Sequence, residues 1–160
     1  MPEAQRIHDH PDARVVSARQ ELMEICAHAT EAELTSAIDA LDPRPEATDI
    51  RPAETGLVML RGRIGGSGAP FNFGEATVTR AAVRLGTGET GFSYLLGRSK
   101  TRARLAAVLE AAGQRPEYRR SIVQNLVRPV AERLESERRT TREEAEATRV
   151  EFFTLVRGED

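Results

Sequence analysis

The spacing of apolar residues changes twice along this chain, and these changes limit the folds open to it. Between residues 15 and 41 apolar side chains recur every three or four positions, as on one face of an amphipathic helix. Between residues 56 and 96 they largely alternate along the chain, as in strands. Helical spacing then returns. We therefore expect an α+β fold: two N-terminal helices, a small antiparallel β meander, and C-terminal helices packed on one face.

Local signals divide the N-terminal part into two helices. The first apolar stripe runs from Asp12 to about Ala29, and Thr30 with Glu33 then has the spacing of a capping box. A second helix is predicted from there to about Leu41, where two nearby prolines prevent it from continuing. We expect residues 1–160 to form one domain, with residues 1–12 as a flexible tail.

The middle of the chain predicts three strands separated by glycine-rich turns. The strands are expected over Gly56–Ile64, Phe71–Leu85 and Thr90–Leu96. The connections Gly65–Gly68 and Gly86–Gly88 have the composition of turns.

The C-terminal part is predicted to be helical. Ser99 is a suitable cap for a first helix, and Tyr118–Leu134 forms a second helical stretch that Pro129 interrupts. A kink or a new helix start is therefore expected at this proline. Beyond it, either Thr141–Glu144 caps another helix, or one long helix continues to Val156.

Charge is distributed unevenly. Residues 1–50 carry 4 arginines and 11 acids (−7), residues 51–104 carry 9 basic residues and 3 acids (+6), and residues 105–160 carry 10 arginines and 11 acids (−1). Either these regions neutralise each other in the fold, or a basic face remains for an anion. Lys100 is the only lysine. Arginine binds phosphate and carboxylate with two hydrogen bonds, although biased codon usage would also produce this composition.

Several function classes lack support in the sequence. Cys26 is the only cysteine, so it forms no internal disulfide, and its apolar neighbours predict a buried side chain. His8 and His10 lie in a polar tail and do not make a metal site. No catalytic constellation is recognisable, so we predict neither catalytic nor metal-binding residues. No signal peptide or membrane span is evident, and a cytoplasmic protein is expected.

Strand arginines are candidates for anion or partner contacts. Arg61 and Arg63 share one face of the first predicted strand, and Arg80 and Arg84 share one face of the second. If both strands belong to one sheet, the four residues could form a basic face that contacts a polyphosphate or an acidic partner. An ordinary solvated sheet face is the alternative interpretation.

Three further residues belong to this candidate group. Glu54 lies in Arg51–Gly56, interpreted as a turn leading into the first strand, and a buried glutamate there would need an arginine partner. Arg98 and Lys100 flank Ser99, the predicted cap of the next helix.

A C-terminal segment is the candidate partner interface. Its apolar residues are too closely spaced for one helix face, so part of the segment is predicted to be buried against another chain. These residues are Val150, Phe152, Phe153, Leu155 and Val156.

Three stretches together resemble a known family. Residues 51–58 (RPAETGLV), 71–85 (FNFGEATVTRAAVRL) and 149–158 (RVEFFTLVRG) are similar to the G subunit of the carbon–phosphorus lyase core complex. Gly65–Gly68 and Gly97–Lys100 add to this resemblance, which extends over nearly the whole chain after the tail.

The resemblance implies a multi-subunit enzyme. The G subunit would join H, I and J subunits in a two-fold symmetric core complex. With the H and I subunits and an ATP-binding L component, it would support transfer of ribose triphosphate from ATP to methylphosphonate, with release of adenine. The resemblance places no cofactor on this chain; an iron–sulfur cluster and S-adenosylmethionine would belong to the J subunit. No catalytic residue is carried over.

Two other functions remain open at this point. A stand-alone phosphate- or nucleotide-binding module would use the arginine face by itself. A nucleic-acid-binding protein is less favoured, because the net charge is −2 and no recognised motif is present.

Overall fold

The computed structural model describes residues 13–63 and 68–147, and it confirms the α+β class. The predictions for residues 1–12 and for the C-terminal interface segment lie outside the described residues. The described elements, in chain order, are α1 (Ala13–His28), α2 (Glu31–Asp39), β1 (Ala47–Arg63), β2 (Pro70–Leu85), β3 (Thr90–Leu96), α3 (Lys100–Ala112), α4 (Pro116–Ile122), a π-helical turn (Val123–Val127) and α5 (Arg128–Ala147).

The predicted boundary between the first two helices is confirmed. The backbone N–H of Glu33 donates to Thr30 Oγ1 at 3.2 Å, and the backbone N–H of Thr30 donates to Glu33 Oε2 at 2.7 Å. These two bonds form the capping box and satisfy N–H groups that would otherwise lack partners. The inner face of α2 is buried at Leu34, Ala37 and Ile38.

The three strands form an antiparallel meander in the order β1-β2-β3. β3 pairs only with the second half of β2, from Val78 opposite Leu96 to Arg84 opposite Thr90. β1 pairs with β2 over almost its whole length, as far as Arg63 opposite Pro70. Residues 57–63 and 70–77 therefore continue past β3 as a two-stranded ribbon, which we call the arm. The three-stranded part and the helices are called the body.

Helix α3 covers one face of the body sheet at very short range. Ser93 Oγ donates to the carbonyl of Ala103 at 2.6 Å. A Cβ added at Gly91 would lie 2.0 Å from the carbonyl oxygen of Ala107, so only glycine permits this approach. Along β3, the buried residues Gly91, Ser93 and Leu95 alternate with exposed ones, so the opposite face of β3 is not covered by α3.

The first strand begins at Ala47, well before the predicted Gly56. The interpretation of Arg51–Gly56 as a turn was wrong, because this segment belongs to β1 and pairs with β2. β1 is an edge strand, and one of its sides has no neighbouring strand. A proline such as Pro52, which has no N–H, is tolerated in an edge strand because it need not cost a hydrogen bond of the sheet. Shifts in register between Asp49 and Arg51, and between Arg51 and Glu54, accommodate the irregularity.

The irregularity expected near Pro129 takes the form of a π-helical turn. The backbone N–H of Arg128 bonds to the carbonyl of Val123, five residues back, immediately before the proline. Pro129 has no N–H, so a wider turn here costs no bond that this residue could have made. Further on, Thr141 Oγ1 donates to the carbonyl of Glu137 inside α5. The capping-box alternative was therefore wrong, and one helix continues to Ala147.

Candidate functional site

The four strand arginines do not come together on one face. Arg80 lies opposite Glu54 in the body, whereas Arg61 lies opposite Asn72 in the arm. Successive residues of a strand point to opposite faces, so Glu54 and Arg61, which are seven positions apart, lie on different faces of β1. The expected basic face is therefore not assembled from these two pairs, and their contacts with an anion or partner stay a prediction.

Glu54 holds a small ion-pair cluster across β1 and β2. Arg80 Nε donates to Glu54 Oε1 at 2.7 Å, and Arg51 Nη1 lies 3.3 Å from the same oxygen. The Glu54 side chain is 49% exposed, so this glutamate has the expected arginine partner but is not buried. An exposed pair of this kind contributes little stability. It also leaves Arg80 less available for an external anion.

Five of the candidate cations form no ion pair with any residue of the described ranges. They lie in three separate places: two in the arm, one in the middle of the chain on β2, and two beside the first turn of α3. All five are exposed. They are Arg61, Arg63, Arg84, Arg98 and Lys100. No single anion site can therefore use all of them at once.

The cap predicted at the start of α3 is present between Arg98 and Lys100. Ser99 Oγ accepts from the backbone N–H of Arg102 at 3.1 Å and donates to Glu31 Oε2 at 3.2 Å. Gly97, just before it, has a φ of +99°, a conformation that favours glycine. The cap links the first turns of α2 and α3, so its hydroxyl has a structural role.

Other arginines, not selected from the sequence, tie the elements of the body together. Arg102 donates to the carbonyls of Ala27 and Ala29, both at 3.1 Å, where α1 ends. Arg104 Nε donates to Asp49 Oδ1 at 2.8 Å. Arg104 and Asp49 thus form an ion pair between the basic middle of the chain and its acidic N-terminal part. Sequence reasoning left this possibility open but could not identify the residues.

Arg133 makes a similar link between α5 and the N-terminal helices. Its Nε donates to Glu33 Oε1 at 2.8 Å, and its Nη2 donates to the carbonyl of His28 at 3.0 Å. Hydrogen bonds lower the pKa of Glu33 to about 2; the bond from Arg133 contributes most, and those from the N–H and hydroxyl of Thr30 contribute less. The lowered pKa of Glu33 is therefore explained by the capping of α2 and by the packing of α5 against it.

One carboxylate inside the body was missed by sequence reasoning. Glu110 is 1% exposed, and it accepts from Arg19 Nε at 2.6 Å and from the backbone N–H of Phe92 at 3.1 Å. It lies beside a mostly apolar cleft of about 440 Å³ between α1, α3 and α4. Its only sequence signal was an acid within the apolar run of α3. Because every donor around it is part of the fold, Glu110 joins α1, β3 and α3.

Cys26 is buried, as predicted, next to this region. Burial raises the pKa of its thiol to about 12, and the nearby charge of Glu110 acts in the same direction. The thiolate is the reactive form, so this cysteine behaves as a small core residue.

The described residues contain no group of three or more histidines, cysteines or carboxylates placed to hold a metal ion. None of the helices in these ranges combines the length and hydrophobicity needed to cross a bilayer. What the described residues do present is exposed cations at separate places and exposed apolar strand residues.

Comparison with known proteins gives a consistent result. The family model described as "Phosphonate metabolism protein PhnG" matches residues 17–158. A curated relative from Rhizobium meliloti (strain 1021), alpha-D-ribose 1-methylphosphonate 5-triphosphate synthase subunit PhnG, is 56% identical over 145 residues, which cover 91% of this chain and 92% of the relative. The chain therefore belongs to the PhnG family of phosphonate metabolism proteins.

Proposed function

We propose that this chain is a subunit of an alpha-D-ribose 1-methylphosphonate 5-triphosphate synthase. The observation that carries the proposal is the 56% identity to a subunit of that name, extending over 91% of this chain. An alignment over nearly the whole of both chains includes the body and the arm alike. The proposal therefore concerns the complete described fold.

The proposed reaction forms one bond and breaks one. A phosphonate oxygen of methylphosphonate bonds to C1′ of the ribose of ATP, and the bond from C1′ to adenine breaks. Adenine leaves with a proton, and the product keeps the 5′-triphosphate. ATP is thus a substrate of the assembly, and we propose no cofactor on this chain.

We assign this chain a binding and organising role within the assembly. Of its perturbed or buried acidic groups, Glu33 and Glu110 are both occupied by partners within the fold. The proposed partners are the H, I and J subunits of the carbon–phosphorus lyase core complex and an ATP-binding L component. The iron–sulfur cluster and S-adenosylmethionine of the later cleavage step belong to the J subunit in this proposal.

Genetic replacement tests the function in a living cell. The gene for the relative is deleted in Rhizobium meliloti and replaced by the gene for this chain. Growth on methylphosphonate as the sole phosphorus source is the expected result. The relative's own gene, restored to the same position, is the control. Growth with the control gene but none with this chain at equal protein levels would contradict the proposal.

Reconstitution tests whether the reaction needs this chain. The partner subunits are mixed with ATP and methylphosphonate, with and without the chain, and adenine release is followed together with the phosphorus NMR spectrum. Product is expected only in the complete mixture. Turnover by the chain alone would contradict the assigned role.

A further inference from the structure

The arm exposes large apolar side chains that no described element covers. Strand residues of this type normally face a core, because burial removes their apolar surface from water. Here about half of the surface of each remains accessible. The exposed fractions are 62% for Leu57, 57% for Met59, 42% for Phe71 and 59% for Phe73.

These side chains occupy both faces of the arm. Leu57 and Met59 lie on one face, since they are two residues apart on β1. The ring of Phe73 lies 3.1 Å from the position of a Cβ on Gly62, and the centroids of Phe71 and Phe73 are 6.2 Å apart. Gly62 is on the opposite face from Met59 because the two are three positions apart on β1. The aromatic pair therefore covers the face opposite Leu57 and Met59.

A ribbon of this kind is normally covered by a further packing element, and the described residues of this chain supply none. Two-stranded hairpins are marginally stable in water unless a third strand or a helix packs against them. β3 ends its pairing with β2 at Val78, and the arm begins at the next pair of residues. Exposed contiguous apolar surface on a folded protein commonly marks an interaction site.

The charge of the arm indicates what such a partner would present. Residues 57–63 and 70–77 together contain two arginines, Arg61 and Arg63, and a single acid, Glu75. Neither arginine forms an ion pair with a residue in the described part of the chain. An acidic surface would therefore complement the end of the arm.

We propose that the arm inserts into an apolar groove of another subunit of the synthase, whose acidic side chains meet Arg61 and Arg63. This inference rests on the proposed function, because it assigns a docking element to a chain taken to be a subunit. A second copy of this chain is the weaker occupant. Two arms packed on each other would cover one apolar face of each arm and leave the other exposed.

Paired substitutions in the arm test the proposal while keeping the strands. One variant carries Leu57→Thr and Met59→Thr, and another carries Phe71→Thr and Phe73→Thr. Threonine keeps a high strand preference but removes most of the apolar surface. The matched control is Val123→Thr, a residue that is 47% exposed on the helical side of the body.

Binding to the remaining synthase subunits is measured by co-purification and by titration. Each arm variant is expected to raise the dissociation constant at least about tenfold, as substitution of interface anchors does, and Val123→Thr is expected to leave it unchanged. Arg61→Glu with Arg63→Glu should weaken binding more at low salt than at high salt. Circular dichroism and thermal unfolding of each variant confirm that the body is intact.

The outcomes separate this inference from the proposed function. If the unmodified chain binds and the arm variants bind equally well, the arm is not the docking element, although the function stands. If the unmodified chain does not bind the other subunits, both ideas fail. If the arm variants abolish self-association of this chain and leave subunit binding unchanged, the occupant is a second copy and the proposal is overturned.

Discussion

The body and the arm use the same two strands, but their apolar residues are treated in opposite ways. Along β2, Ala81, Val83 and Leu85 are buried in the body, whereas Phe71 and Phe73 are exposed in the arm. The larger side chains are thus the ones left in water. Strand preference is satisfied in both regions, so the difference arises from what packs against them.

Close approach of α3 explains the small residues of the body. Ala103, Ala106 and Ala107 are fully or nearly fully buried where this helix meets the sheet. Small side chains let the backbones of the helix and the sheet come close, and the many atom pairs then in contact add up to a substantial dispersion attraction. The arm has no such neighbour within the described residues, so its large side chains are suited to a surface supplied by another chain.

The apolar residues of the sheet therefore fall into two groups that differ in what packs against them. On the face of the body sheet that α3 covers, apolar residues fit against this helix, although Phe92, Tyr94 and Leu96 on the opposite face stay exposed. The apolar residues of the arm are available for fit against a partner on both faces. Substitutions of equal chemistry should therefore have unequal effects on folding in the two regions.

Two glycines give the largest expected contrast. A methyl group at Gly91 would lie 2.0 Å from Ala107 O and 2.6 Å from Ala111 N, and both are backbone atoms of α3. We expect Gly91→Ala to lower the free energy of unfolding by more than about 4 kcal/mol, because α3 would have to move away from the sheet. Urea denaturation followed by circular dichroism measures the change.

The matched control lies in the arm. A Cβ at Gly74 would meet no atom within 4 Å. Gly74→Ala is expected to change stability by no more than about 0.5 kcal/mol, because it adds no clash and slightly restricts the unfolded chain. Equal losses at both glycines would show that α3 does not approach the sheet as closely as the structure indicates.

Two leucines test the same contrast through cavity formation. Leu109 of α3 is fully buried, and Leu57 of the arm is mostly exposed. Leu109→Ala should cost about 3 kcal/mol, because it removes apolar contacts and leaves a cavity. Leu57→Ala should cost less than about 0.5 kcal/mol in the isolated chain. A large loss at Leu57 without any partner present would mean that the arm is already covered within this chain.

Two glutamates extend the comparison to charges. Glu110→Gln keeps the shape of a buried side chain but removes the charge paired with Arg19 and one acceptor near the N–H of Phe92. A loss of about 2 kcal/mol is expected. Glu54→Gln removes the half-exposed pair with Arg80 at the base of the arm, and less than about 1 kcal/mol is expected. Thermal unfolding measures the loss of stability in both variants. A larger loss for Glu54→Gln than for Glu110→Gln would mean that the ion pair at the base of the arm stabilises the fold more than the buried one.

Local sequence signals predicted the elements whose causes are themselves local. β3 runs from Thr90 to Leu96 as predicted, because its alternation is complete and glycines bound it on both sides. The capping box at Thr30 and the cap at Ser99 were also predicted, since each depends on residues at most three positions apart.

Features that depend on distant residues could not be read from the sequence. β1 extends back to Ala47 because β2 pairs with it there, and the intervening register shifts are not visible in an apolar pattern. The face occupied by Arg61 relative to Arg80 follows from that register as well. Similarly, the role of Arg102 depends on where α1 ends in space. For the candidate site, the residue types and their exposure could be predicted from the sequence. Which side chains are neighbours could not be predicted.

The smallest expected effect separates the two regions by pH. The pKa of Glu33 lies at about 2 in the folded body against an ordinary value of 4.5, chiefly because Arg133 donates to its carboxylate. A lowered pKa means that this carboxylate contributes stability above pH 4.5 and that the contribution disappears as the pH falls toward 2. Glu33→Gln should therefore cost about 1 kcal/mol at neutral pH, and the difference from the unmodified chain should shrink in acid. Glu75→Gln, at an exposed carboxylate of the arm, is the control and should leave the free energy of unfolding at neutral pH nearly unchanged. If the difference at Glu33 stayed constant down to pH 2, the link from α5 to α2 would not depend on its charge.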